Sequence, residues 1–214
     1  TSFTSSIAVD AGILEVSNAN GLGDATATLV NAAGTLTINN VDINAEPLIL
    51  NGGKLAGLGA GAVSDGPVTL LADSTLGGTG GTLTVNGVVS GAFALTKEDS
   101  GTVVLAAAND YSGQTNITAG TLRVTHATGL GTTAGGTVID ASTASATLDL
   151  QTPDATVLAE QITIADDAGG TATLEYSTAS ATTTLTGGVV LTDNGTLNVS
   201  AADGVLDITT VAVT

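Results

Sequence analysis

A 214-residue chain that is 43% hydrophobic but only 2% aromatic, with no Cys, Met or Trp, must build its core from Leu, Val, Ile, Ala and Thr, side chains that stack well on copies of themselves. Three basic residues, Lys54, Lys97 and Arg123, stand against 20 acidic ones for a formal charge of −17, which excludes nucleic-acid binding through phosphate neutralisation and disfavours anionic membrane surfaces. No apolar run reaches the roughly 18 to 20 residues of a membrane helix, and the lack of cysteine removes disulfide and thiol chemistry.

Along the chain one short unit recurs, Gly-x-apolar-x-apolar. It stands at Gly12–Val16, Gly34–Ile38, Gly81–Val85, Gly101–Leu105, Gly120–Val124, Gly195–Val199 and Gly204–Ile208. Neighbouring copies begin 22, 20 and 19 residues apart at Gly12 to Gly34, Gly81 to Gly101 and Gly101 to Gly120. Each unit alternates polar and apolar positions, the period of a half-buried strand, and its glycine supplies the preceding bend. A strand returning in phase about every 20 residues describes one coil of a solenoid. Runs such as Pro47-Leu48-Ile49-Leu50, Val88-Val89 and Val189-Val190-Leu191 are apolar on both parities and predict parallel strands covered on both sides. No capped stretch of helical periodicity occurs, and Asn-Gly or Asp-Gly turns do not recur as antiparallel hairpins require. The fold class expected is all-β, a parallel β-solenoid of roughly nine or ten coils, which at about 4.8 Å per coil makes a rod on the order of 45 Å long.

A longer repeat overlies the short one. Residues Ala11–Gly23 align with Ala119–Gly131, and Gly66–Leu70 with Gly187–Leu191. The offset grows between the two matches, so insertions are expected near Ala141–Ser145 and Asp166–Gly170, in surface loops. A single solenoid over residues 1–214 is expected, made of about two degenerate multi-coil modules, approximately 1–110 and 111–214. The opening at Thr1, without Met or a signal peptide, predicts a processed protein or a segment of a longer repeat protein.

The stretch Gly91–Val124 carries Leu95, Lys97, Gly101 and Thr102, then Asn109, Tyr111, Ser112, Gly113 and Thr115, then Gly120-Thr121-Leu122. In this order it resembles the passenger-associated transport repeat, also called the autotransporter-associated β-strand repeat, of bacterial type V secreted proteins. It departs from that pattern at Asp99, where the family carries Gly, so the turn there is expected to be built differently. The resemblance implies a right-handed parallel β-helix passenger, secreted through an outer-membrane β-barrel and displayed on the cell or released. The barrel is not in this chain, because its strands need aromatic girdles that four aromatic residues cannot supply.

Candidate sites are few. His126 is the one histidine, and its counterpart in the longer repeat is Asn18, so it is read as a polar loop residue. One histidine and no cysteine supply neither a zinc site nor a Ser-His-Asp triad. Asp166-Asp167 is the one Asp-Asp pair; neighbours on a strand face opposite ways, wrong for a shared glycosidic site. No catalytic or cofactor-binding residue is assigned, and no metal ligand. Calcium in Asp- and Gly-rich turns is compatible with the charge, although neither an EF-hand loop nor a calcium nonapeptide series is present.

The function expected is a non-catalytic extracellular structural or adhesive shaft of a bacterial surface or secreted protein. A self-assembling filament or sheath subunit stacking head to tail is the second reading, and a carbohydrate-active β-helix enzyme the third. Expected partners are neighbouring solenoid repeats, further copies of the chain, or ligands on host-cell or environmental surfaces, with no nucleic acid and no membrane insertion.

Overall fold

The computed structural model describes residues 5–23, 26–141, 144–165, 169–192, 195–200 and 203–213. Among these residues there is no helix, every strand-to-strand pairing is parallel, and the chain winds as a β-solenoid of about 9 turns. Each full turn visits three faces. On the second face the closing halves of Ile7–Val16 and Thr28–Asn39 lead the stack. Lys54–Leu58, Ser74–Gly78, Leu95–Lys97, Thr115–Ile117, Thr137–Asp140, Ile162–Ala165, Val189–Leu191 and Val211–Val213 follow. The third face stacks Ala62–Ser64, Thr82–Val85, Thr102–Leu105, Gly120–Val124, Ser145–Leu150, Thr171–Tyr176 and Thr196–Val199.

The first face begins with the opening halves of the two long strands and continues through Leu48–Asn51, Val68–Ala72 and Val89–Ser90. It then loses strand geometry for two turns. A separate stack of Thr156–Leu158, Thr182–Leu185 and Val205–Ile208 resumes it, each strand preceding the second-face strand of its own turn.

Strict register explains the composition. On the third face Leu83, Val103, Leu122, Leu148, Leu174 and Leu197 lie in one inward column, and Val85, Leu105, Val124, Leu150, Tyr176 and Val199 in the next. A side chain whose neighbours above and below resemble it packs best when it is aliphatic and of constant size. Burying each Leu or Ile contributes about 1.5–3 kcal/mol. The outward column one residue before the first of these is equally regular, running Thr82, Thr102, Thr121, Thr147, Thr173 and Thr196. Threonine there meets the β-branched preference of a pleated surface while leaving a hydroxyl to water.

The runs that are apolar on both parities are parallel strands, but they are not covered on both sides. Leu48 and Leu50 point inward and are buried, Ile49 is half-buried, and Val88 is exposed. A solenoid has one core, so the second parity meets solvent.

The aligned stretches of the longer repeat share one turn. Gly21 N–H donates to Asn18 O at 2.8 Å and Gly129 N–H to His126 O at 3.0 Å, with Leu22 and Leu130 buried behind the turn in both places. The matched strands stand one face apart: Gly12–Val16 is on the second face and Gly120–Val124 on the third, as Val68–Leu70 is on the first and Val189–Leu191 on the second. Of the stretches where insertions are expected, residues 142–143 and 166–168 lie outside the described residues; the strands flanking them are Thr137–Asp140 and Ser145–Leu150, and Ile162–Ala165 and Thr171–Tyr176.

Candidate functional site

The longest motif in the sequence places several buried polar side chains in hydrogen bonds. Lys97 ends the strand Leu95–Lys97 and lies in register between Leu76 and Ile117, in a column that is otherwise aliphatic. It is 1% exposed. Its ammonium donates to the carbonyl oxygens of Glu98 at 2.7 Å, Asp99 at 2.8 Å and Ala119 at 2.8 Å. Three N–H donors meet three carbonyls, two in its own corner and one in the next turn, so the buried polar groups on both sides are satisfied. Burial pushes the Lys97 amine down to about 8, against the opposing pull of Asp99.

Asp99, the departure from the family pattern, keeps the backbone that glycine would adopt, with φ 62°. Aspartate enters this left-handed region more readily than most residues. Its carboxylate lies 2.7 Å from the Lys54 ammonium, with Glu98 3.5 Å from the same group. Across the corner Gly120 has φ 66°, and a Cβ there would collide with the carbonyl oxygen of Asp99 and reach the Lys97 ammonium. The glycine is therefore what lets Lys97 close the corner.

The second half of the motif takes over where the first face loses its strands. Asn109 is buried and its amide spans two turns, accepting from Val89 N–H at 2.8 Å and donating to Gly129 O at 2.7 Å. The side chain thus adds to the irregular backbone bonds that remain there, among them Asp110 and Tyr111 N–H to Val89 O and Asn109 N–H to Thr128 O. Tyr111 points into the core, with its hydroxyl 2.7 Å from Thr115 Oγ1 and both residues buried. Gly113 is required because a Cβ there would strike the Phe93 carbonyl of the turn before.

A polar group of a different kind lies on the outer side of the third face. Arg123 Nε donates to Asp149 Oδ2 at 2.8 Å, Gln151 Nε2 to the same oxygen at 3.0 Å, and Ser177 Oγ to Asp149 Oδ1 at 2.6 Å. Arg123 and Asp149 are register partners in adjacent turns, so the pair is the cross-strand neighbour relation of a sheet. Sequence reasoning missed Asp149, Gln151 and Ser177. The signal was the position of Arg123 in its strand, which with the correct register to Ser145–Leu150 selects Asp149.

His126 sits in the turn that aligns with that of Asn18, with its Nδ1 3.2 Å from Thr128 N and 3.3 Å from Thr128 Oγ1, both contacts inside the turn. Asp166-Asp167 lies outside the described residues. Among the described residues no three His, Cys, Asp or Glu side chains are placed to share a metal ion. Two surface hollows of about 310 and 350 Å³ beside the corner between the second and third faces are lined by glycine, alanine, serine and threonine. The residues the motif fixes are spent on holding turn to turn.

Residues 95–124 match the family model of the passenger-associated-transport-repeat. The chain is also 32% identical over 146 residues, 68% of its length, to the Adhesin BmaC autotransporter of Brucella suis biovar 1 (strain 1330). It spans 4% of the length of that curated relative. No solved structure matches the chain at a significant level. This solenoid therefore contains an autotransporter passenger repeat.

Proposed function

We propose that this repeat-bearing solenoid is a non-catalytic, adhesive shaft segment of a bacterial autotransporter passenger, exposed at the cell surface or released from it. The observation that carries the reading is how the motif is spent. Lys97, Asn109, Tyr111 and Thr115 are all buried and satisfied inside the solenoid, Lys97 and Asn109 partly by neighbouring turns and Tyr111 by Thr115 of its own turn. What reaches solvent is a regular surface, the threonine column beside the Arg123–Asp149 group. Such a surface offers many weak, repeated contacts and no centre where bonds are made or broken. The similarity to a protein named as an adhesin supports the same reading.

Beads coated with the purified chain test it. They are to be retained on epithelial monolayers, matrix proteins or bacterial surfaces more than beads coated with an equally acidic unrelated protein, and soluble chain is to compete the retention away. Retention equal to the control on every surface would remove adhesion from this segment and leave it a spacer.

A further inference from the structure

The break in the first face is bridged differently on its two sides. Counting turns by their second-face strands from Ile7–Val16, the fifth to seventh turns are joined by the Asn109 side chain together with backbone bonds, from Asp110, Tyr111 and Ser112 to the turn before and between Asn109 and Thr128 and Thr132 and Tyr111 in the turn after. Between the seventh and eighth turns, among the described residues, no backbone hydrogen bond joins the segment 126–134 to the segment 153–159. A cleft of about 130 Å³ separates them, with Thr128, Leu130 and Thr133 on one wall, Val157 and Leu158 on the other, and Glu160 reaching it. The carboxyl of Glu160, a residue 4% exposed, accepts one protein hydrogen bond, from Thr137 Oγ1. Thr137 N–H donates to Gln161 O at 3.0 Å, so ladder bonding resumes only at the second face.

We propose that this junction is a proton-operated clasp, closed while Glu160 is a neutral acid and loosened when it ionises.

The titratable groups on the elements around the cleft give Glu160 no salt-bridge partner among the described residues. From the sixth turn comes Tyr111, a buried phenol bonded to Thr115 and raised by its own burial. From the 126–131 turn comes His126, its ring engaged by Thr128. Ahead of Thr156–Leu158 stands Asp154, whose carboxylate accepts Thr182 N–H. The three basic side chains have other partners: Lys54 pairs with Glu98 and Asp99, Lys97 with backbone carbonyls, and Arg123 with Asp149. An ionised carboxylate at the edge of a core, with one hydroxyl donor and no cation, recovers its solvation by drawing water into the cleft beside it. Burial accordingly pushes Glu160 up to about 7, partly offset by the Thr137 hydrogen bond. Since its ordinary value is 4.5, the folded chain holds a proton that the unfolded chain has released across that window. Stability from this group is therefore present below about 4.5 and is lost as pH rises through about 7.

Glu46 marks the contrast. It accepts from Thr28 Oγ1 at 2.8 Å in the same way and is also raised by burial. There, however, Thr28 N–H bonds Pro47 O and the strands Thr28–Asn39 and Leu48–Asn51 pair directly, so ionisation meets an intact ladder.

Hydrogen exchange, corrected for the intrinsic pH dependence, tests the clasp on peptides covering 126–136 and 153–162 at pH 5.5 and 8.5. Wild type is expected to lose protection there by at least about tenfold at the higher pH, the change that one pKa unit carries. Glu160→Gln is expected to keep its protection at both, and the Glu46 region to change little. A Glu160→Gln protein with the same pH response as wild type, or a wild type with none, overturns the proposal. Carbon-13 titration of glutamate carboxyls in the unmodified chain gives an answer independent of any variant. A Glu160 that titrates above pH 6 supports the clasp, and one that titrates in the ordinary carboxylate range contradicts it.

Discussion

Lys97 occupies a position that its register neighbours Leu76 and Ile117 would lead one to fill with an aliphatic residue. It is tolerated because its ammonium is matched donor for acceptor with Glu98, Asp99 and Ala119. Lys97→Met preserves the stem and volume but leaves three carbonyls without a donor. At about 1–3 kcal/mol for each buried unsatisfied group, urea unfolding is expected to show a loss of at least about 3 kcal/mol; a loss under about 1 kcal/mol would mean water replaces the amine at no cost. Asp99 separates backbone from charge. Asp99→Gly releases the left-handed strain and gives up only a partly exposed ion pair with Lys54, worth about 0–1 kcal/mol, so its stability is expected close to wild type. Asp99→Ala keeps the strain, about 1–2 kcal/mol for an ordinary residue in that region, and is expected to be the less stable of the two by about 1 kcal/mol. Equal stabilities would show that the turn does not need the left-handed backbone. The sequence identified both residues through the motif, but that Lys97 belongs to a core column could not be read from it. Lysine there carries the signature of a surface residue, and only its three acceptors, one of them 22 positions away, make the core tenable.

At the scale of the element, the strands were legible and their gaps were not. Gly-x-apolar-x-apolar units mark third-face strands such as Thr82–Val85, Thr102–Leu105 and Gly120–Val124 because glycine and alternation are both local requirements of a corner followed by a half-buried strand. The loss of strand geometry around Asn109 and Leu130 has no local signature. It appears only when turns are stacked and Val89 N–H finds a side chain where a backbone carbonyl would be. Glu160 escaped for the same reason, since its burial is set by Thr137 and the 127–133 segment of another turn. Asn109→Ala removes both bridging bonds and is expected to cost about 2–3 kcal/mol, with exchange of the Val89 amide accelerating more than that of third-face amides such as Val103. Uniform acceleration across all turns would show that Asn109 holds the whole stack and not this junction.

At the scale of the molecule, the third face of the solenoid places like residues above like residues from turn to turn, and this suits a threonine-rich chain with few aromatics. It also confines the basic residues. Lys97 is buried, Lys54 and Arg123 are engaged with acids, and all three lie in paired strands. Trypsin is accordingly expected to leave the native chain intact for hours under conditions that cut the urea-unfolded chain at once; early cleavage after Lys54 or Arg123 would mean those turns open readily. The absence of cysteine permits the most direct test of the stacked architecture, electron-electron distance measurement between spin labels on paired cysteines in the outward threonine column. Labels at Thr82 and Thr147, Thr82 and Thr173, and Thr82 and Thr196 stand three, four and five turns apart. At about 4.8 Å per turn the backbone separations are expected near 14, 19 and 24 Å, so the mean distance should climb linearly by one strand spacing per turn. Distances that fail to grow in that order would contradict the parallel solenoid, and with it the account of a shaft held together turn by turn.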